Sequence, residues 1–154
     1  MVWHQDAGLQ ADGSVSTAPI EERLTAFGIG KIVNVWTPLV NVNAENGAMK
    51  FIPGSQKLGI LEHEIGGSYP GVSNGPGKYY ANVKAQKMSE LEHLAVDVLC
   101  EPGDVVLFSN ILVHRGGQNS SDHIRWSLDW RFQDAAKPTW RTENGHIVRS
   151  LTDP

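Results

Sequence analysis

Residues Glu101–Asp134 read EPGDVVLFSNILVHRGGQNSSDHIRWSLDWRFQD, and this stretch decides the architecture. Val105–Val113 is an almost unbroken apolar run that ends on His114, as a buried strand would, whereas Ile124–Phe132 alternates strictly. Between them, Gly116–Asp122 supplies Gly, Asn, Ser and Asp, residues that tolerate tight turns. These signals predict two antiparallel strands joined by a polar turn, with His114 and Arg125 on adjacent strands. A period of two then places Arg125, Ser127, Asp129 and Arg131 on one face of the second strand. Trp126, Leu128, Trp130 and Phe132 share the other.

Further short strands are predicted around this pair. Ile29–Leu39 is rich in β-branched and aromatic residues, Ala48–Ile52 stops at Pro53-Gly54, and Ala95–Cys100 feeds Pro102-Gly103. Ala7–Ala26 reads as a loop, and residues 54–96 as irregular chain punctuated by Gly and Pro, with a helical turn at Ser89–Leu94 capped by Ser89 and Glu92. Residues 136–154 carry little pattern and read as a weakly ordered tail. Six or seven short strands without a long amphipathic helix predict an all-β double sheet or barrel. At 154 residues and 40% hydrophobic, the chain is sized for one domain.

Composition narrows the partners. A net charge of -4 with no block of Lys or Arg gives no footprint for nucleic acid or an anionic membrane. No apolar run approaches the roughly 18 residues of a membrane span, and the first residues resemble no signal peptide. Cys100 is the single cysteine, which excludes an internal disulfide and suits a reducing compartment. The expected location is cytoplasmic.

In an extended segment His4 and Asp6 project together while Gln5 points away. Alone, this His-x-Asp pair is more often structural than chelating. His114 alone reads equally well as the cap of a buried strand, and Arg125 as a surface ion-pair residue. If His4, Asp6 and His114 converge, they supply two imidazoles and one carboxylate, the facial triad of non-haem iron(II) oxygenases. Arg125 would add a planar fork for a carboxylate, with the Ser127 hydroxyl on the same face. His63, His93, His123 and His146 lie in loops or polar runs without a paired ligand, and Lys78, Lys84 and Lys87 read as solvated charge.

Five pieces in order carry a resemblance: Trp3-His-Gln-Asp6; Trp36-Thr-Pro-Leu39 with Glu45-Asn-Gly-Ala48; Pro53-Gly-Ser55; Gly103-Asp104 followed by Val106-Leu-Phe108; and His114 with Arg125-Trp-Ser127. From Trp3 to Asp134 the chain resembles the phytanoyl-CoA dioxygenase-like branch of the iron(II)/2-oxoglutarate oxygenases. The resemblance implies a double-stranded β-helix, a jelly-roll of cupin type. It assigns iron to His4, Asp6 and His114, and 2-oxoglutarate to Arg125 and Ser127. It also implies oxidation of a small organic substrate by O2, with 2-oxoglutarate decarboxylated to succinate. Related halogenases replace the triad carboxylate with a small residue; Asp6 is retained, which favours hydroxylation.

Two departures stand out. Gln56 follows Pro-Gly-Ser where the family commonly has His, and family members usually place more than a hundred residues before the His-x-Asp motif. Residues 1–135 are therefore expected to be the C-terminal part of such a domain, incomplete on its N-terminal side. The face formed by Trp126, Leu128, Trp130 and Phe132 would then lack its cover and promote self-association. A second reading is a non-catalytic jelly-roll that binds a ligand or partner, its metal residues idle because His4 and Asp6 lie on a frayed terminus. Nothing in Ala7–Ala26 or Gly54–Val96 reads as a substrate code.

Overall fold

The computed structural model describes residues 2–8, 32–68 and 79–133. Eight strands and one helix follow in order: β1 (Ile32–Pro38), β2 (Met49–Phe51), β3 (His63–Ser68), β4 (Tyr79–Val83), α1 (Ala85–Leu91), β5 (Val96–Val98), β6 (Val106–Ser109), β7 (His114–Gly116) and β8 (Ser127–Gln133). All pairings are antiparallel, in the orders β6-β1-β8, β5-β2-β7 and β3-β4. The chain start joins the last two groups. His4 and His114 exchange both backbone hydrogen bonds at 3.0 Å, and Val83 N donates to Trp3 O at 2.9 Å. The segment thus lies between β7 and β4 as a further strand. The outcome is the all-β, cupin-like double sheet expected from the sequence.

The opening stretch folds differently from its prediction. Its apolar run is not one strand, because the chain turns at Ser109: Leu112 N donates to Ser109 O at 3.0 Å and Ile111 N to Ser109 Oγ at 3.4 Å. A serine hydroxyl that takes a nearby backbone N–H competes with ladder pairing. β6 therefore belongs to one sheet and β7 to the other. His114 and Arg125 are not on neighbouring strands; they lie on opposite sheets. Hydrophobicity does not reveal the crossing because Ile111, Leu112 and Val113 remain buried through it. Arg125 itself precedes β8, although Leu39 N still pairs with Trp126 O at 2.9 Å.

Residues 54–96 are more regular than their Gly and Pro content predicts, since they contain β3, β4 and α1. The expected Ser89 capping box does not form. The helix starts four residues earlier at Ala85, and the Ser89 hydroxyl donates to Gln86 O at 2.7 Å. Glu92 instead accepts the Trp3 indole N–H at 3.0 Å and lies 3.4 Å from Arg115 Nη2. The predicted tail and most of the predicted loop Ala7–Ala26 fall outside the described residues.

Two apolar clusters hold the elements together. Trp36, Val42, Ala48, Met49 and Cys100, with Phe51 and Phe108, fill the space between the two three-stranded sheets. Trp3, Ile52, Leu61, Val83, Met88 and Val113 form a second cluster that includes a residue of α1. Gly117 is required where β7 ends: its N–H reaches Ala48 O at 2.9 Å, and a Cβ there would sit 2.4 Å from that oxygen.

The register of β1 on β8 pairs Asn34 with Arg131 and Trp36 with Asp129, whereas Val33 pairs with Phe132 and Val35 with Trp130. Asn34 and Trp36 are buried, so the polar side of β8 faces inward. Its aromatic side faces out as predicted, with Trp130 44% and Phe132 61% exposed beside Leu107 on β6. No helix among the described residues is long and apolar enough to cross a membrane.

Candidate active site

A cavity of about 330 Å³ opens between the two sheets. Its walls include His4, Asp6, His114, Trp36, Arg125 and Ser127. This volume is at the small end of the roughly 300–1,000 Å³ typical of small-molecule sites.

The imidazoles meet because their backbones are directly paired. Residues opposite one another in an antiparallel ladder project to the same face, and the ring centroids of His4 and His114 are 4.3 Å apart. Each Nδ1 contacts the carbonyl two residues upstream: His4 to Val2 O at 3.0 Å, His114 to Leu112 O at 2.9 Å. A carbonyl only accepts, so Nδ1 carries the proton and Nε2 presents its lone pair to the cavity. Burial pushes the His114 imidazole down to about 4, helped by the adjacent His4, which keeps it neutral at physiological pH. Its ring is also flanked edge-on by Phe108 at 4.9 Å.

Asp6 lies two residues beyond His4 on the same face and opens a short 3-10 turn, Asp6–Gly8, which is fixed by Ala7 N donating to Asn110 O at 3.1 Å. Asp6 Oδ1 is 3.9 Å from His4 Nε2. One ligand atom from each of His4, Asp6 and His114 lies within 4.8 Å of the others. Two imidazole nitrogens and a carboxylate oxygen fit the donor set of a non-haem iron(II) ion. Among the described residues, no other group of His, Cys, Asp and Glu converges in this way.

Arg125 lines the same cavity. Its guanidinium carbon is 5.4 Å from the Trp36 ring centroid, and Nη1 donates to Ser127 Oγ at 3.1 Å. Burial lowers its pKa, yet guanidinium stays charged in proteins. The sequence-predicted residues His4, Asp6, His114, Arg125 and Ser127 therefore share one cavity.

Other residues went unread. Gln5 points away from the His4 face, as expected, but it enters the core at 2% exposure. Its amide donates to Gly59 O at 2.9 Å and Ile111 O at 2.5 Å, and its Oε1 accepts from Leu61 N at 2.8 Å. The available signal was its place between Trp3 and Ala7 on the apolar side of the segment. Asn34, fully buried on β1, donates to Asp6 Oδ2, and Arg131 Nη2 approaches Oδ1 at 3.4 Å. His63 is buried on β3 rather than lying in a loop, and it takes no part in the triad. Its Nδ1 meets Leu61 O at 2.8 Å and its Nε2 accepts from Gln5 N at 3.4 Å.

The model of the phytanoyl-CoA dioxygenase family matches residues 1–127. Among curated proteins, the chain is 28% identical over 116 residues to phytanoyl-CoA dioxygenase domain-containing protein 1 of Mus musculus, covering 75% of this chain and 38% of that protein. It is 27% identical over 104 residues to the peroxisomal phytanoyl-CoA dioxygenase of Homo sapiens, covering 68% and 29%. The chain thus spans well under half the length of these relatives. Among solved structures, the epimerase SnoN in complex with Fe3+, alpha ketoglutarate and nogalamycin RO aligns with a TM-score of 0.50 at 26% identity, over 74% of this chain and 43% of SnoN. EctD from S. alaskensis, solved with 2-oxoglutarate and 5-hydroxyectoine, aligns with a TM-score of 0.54 at 17% identity, over 95% and 43%, a likeness of fold.

Proposed function

Because the chain belongs to the phytanoyl-CoA dioxygenase family, we propose that it carries the active site of an iron(II)/2-oxoglutarate-dependent dioxygenase that hydroxylates a small organic substrate. One observation carries the reading: three converging ligand-type side chains and a half-buried, positively charged fork line one cavity. His4, Asp6 and His114 would hold iron. Arg125 and Ser127 would hold the far carboxylate of 2-oxoglutarate. Iron(II) with this cosubstrate would supply the activation of O2, with 2-oxoglutarate converted to succinate and CO2.

The chain's own residues do the remaining work. The backbone pairing of His4 with His114 sets the spacing of two ligands before any metal arrives, which reduces the ordering required on binding. The neutral His114 imidazole is ready to ligate without losing a proton. Trp36 closes one side of Arg125, and removing water from a charge-assisted hydrogen bond strengthens it. The non-catalytic jelly-roll alternative required His4 and Asp6 to lie on a frayed end, and the hydrogen bonds of that segment to β7 and β4 speak against it.

We further propose that the outer face of β6-β1-β8, where Trp126, Leu128, Trp130 and Phe132 stand exposed beside Leu107, is a contact surface for another copy of the chain.

Anaerobic addition of iron(II) followed by 2-oxoglutarate tests the site. A visible metal-to-keto-acid charge-transfer band is expected; a folded sample without one refutes the assignment. Mass spectrometry of products then separates hydroxylation from other outcomes, such as the epimerisation named for SnoN.

A further inference from the structure

We propose that Asn34 is a positioning residue that leaves Asp6 a single oxygen to offer the metal, and so keeps one coordination position open for O2. The inference deepens the oxygenase reading of the site and rests on it.

Asn34 is at the centre of β1, in register with Phe108 on β6 and Arg131 on β8, and has no exposed surface. Its Nδ2 donates to Asp6 Oδ2. The other carboxylate oxygen, Oδ1, lies 3.9 Å from His4 Nε2 and 3.4 Å from Nη2 of the half-exposed Arg131. The two oxygens of Asp6 therefore differ: Oδ2 is taken by the buried Asn34 amide, whereas Oδ1 lies on the cavity side, where His4 and Arg131 approach it at longer range. β1 is paired on both edges, so the Asn34 donor is held in place by the sheet. Asp6, at the start of a single turn, is the more adjustable partner.

Sheet stability does not explain this amide. Asn34 Oδ1 is buried without a hydrogen-bond partner, an arrangement that costs stability and that an aliphatic residue would avoid. The contact to Asp6 is what the amide provides. Its consequence follows from coordination number. His4, His114, one oxygen of Asp6 and 2-oxoglutarate would leave a six-coordinate ion one position for O2. If Oδ2 were released and also bound, that position would be filled, while iron and 2-oxoglutarate could still bind.

The test uses the full chain under anaerobic conditions, with nitric oxide as the O2 surrogate read by electron paramagnetic resonance. Asn34→Leu keeps the side-chain bulk and removes the donor. It is expected to bind iron(II) and 2-oxoglutarate within about threefold of the parent protein but to bind nitric oxide roughly tenfold more weakly in the 2-oxoglutarate complex. Asn34→Ser, which keeps a hydroxyl donor, is expected to recover part of that loss. If the leucine variant does not fold, Asn34→Ala takes its place in the same comparison. An unchanged nitrosyl signal overturns the proposal, as does a parallel fall in iron, 2-oxoglutarate and nitric oxide binding, which would mark a general structural defect. A parent protein with no charge-transfer band overturns the oxygenase reading itself; a parent band with unaltered variants overturns the role of Asn34 alone.

Discussion

The guanidinium carbon of Arg125 lies 5.4 Å from the centroid of the Trp36 ring, and burial lowers the pKa of the group. The cation is thus held against an indole and partly dried, with no described carboxylate to neutralise it. Charge-assisted hydrogen bonds contribute about 1.5 to 3 kcal/mol each. Arg125→Ala should therefore weaken 2-oxoglutarate binding by roughly 10- to 100-fold while leaving iron(II) affinity within a few fold. Arg125→Lys keeps the charge but loses the fork and should fall between the two. Isothermal titration with each ligand checks both; an unchanged 2-oxoglutarate affinity would remove Arg125 from this role.

Gln5 should prove as important to folding as a large apolar residue. It joins the His4 segment to Gly59, Leu61 and Ile111 through three hydrogen bonds. Gln5→Ala would strand those backbone groups and is expected to cost about 2 to 4 kcal/mol in chemical denaturation. Gln5→Glu should be no milder, because a carboxylate there removes two donations and buries a charge. A loss below about 0.5 kcal/mol, the scale of an ordinary surface substitution, would contradict this.

Stability of the metal-free protein should fall with acidification in a defined window. His114 in the folded chain sits at about 4, below its ordinary value of 6.5. Between those values the unfolded chain binds the extra proton and the folded chain does not, so stability falls as pH drops from 6.5 to 4 and His114 contributes no further loss below that. The loss is on the order of 1 to 3 kcal/mol. His114→Gln should flatten this part of the profile in denaturation measured at several pH values. A slope identical to that of the parent would exclude His114 as its source.

The outer aromatic face predicts concentration-dependent association. Trp130→Lys together with Phe132→Lys places two charges on a surface where the parent residues are 44% and 61% exposed. Light scattering should show the parent forming larger species that the double variant does not form. A sharp monomer for the parent at high concentration would leave this face without an association role.

The sequence was most readable where a residue's neighbours along the chain determine its surroundings. Alternation gave the two faces of β8 correctly, from Ser127, Asp129 and Arg131 inside to Leu128, Trp130 and Phe132 outside. The spacing of His4 and Asp6 likewise fixed their common face. Reading failed where distant chain decides the environment. The turn at Ser109 is hidden because apolar residues line both the strand and the crossing. β3, β4 and α1 were missed because Gly66, Gly67 and the Gly and Pro residues that follow suggested loop, while pairing to distant chain overrode that local preference. His63 and His114 both place Nδ1 on the carbonyl two residues upstream. What separates them is the Gln5 N–H that occupies the Nε2 of His63, and no local pattern shows it.

The division of the site between two sheets has a mechanical consequence. Two imidazoles are fixed to the sheet that contains β7, whereas Arg125 is carried by the chain leading into β8 in the other. A cosubstrate gripped at both ends would act as a strut across the cleft and resist any sliding of one sheet over the other. The two imidazoles need only the first sheet to keep its shape; Asp6, tied to Asn34 of β1, and the cosubstrate would need the gap between sheets to hold its width. Loosening the packing of Trp36, Met49 and Phe108 should therefore release 2-oxoglutarate before it releases iron.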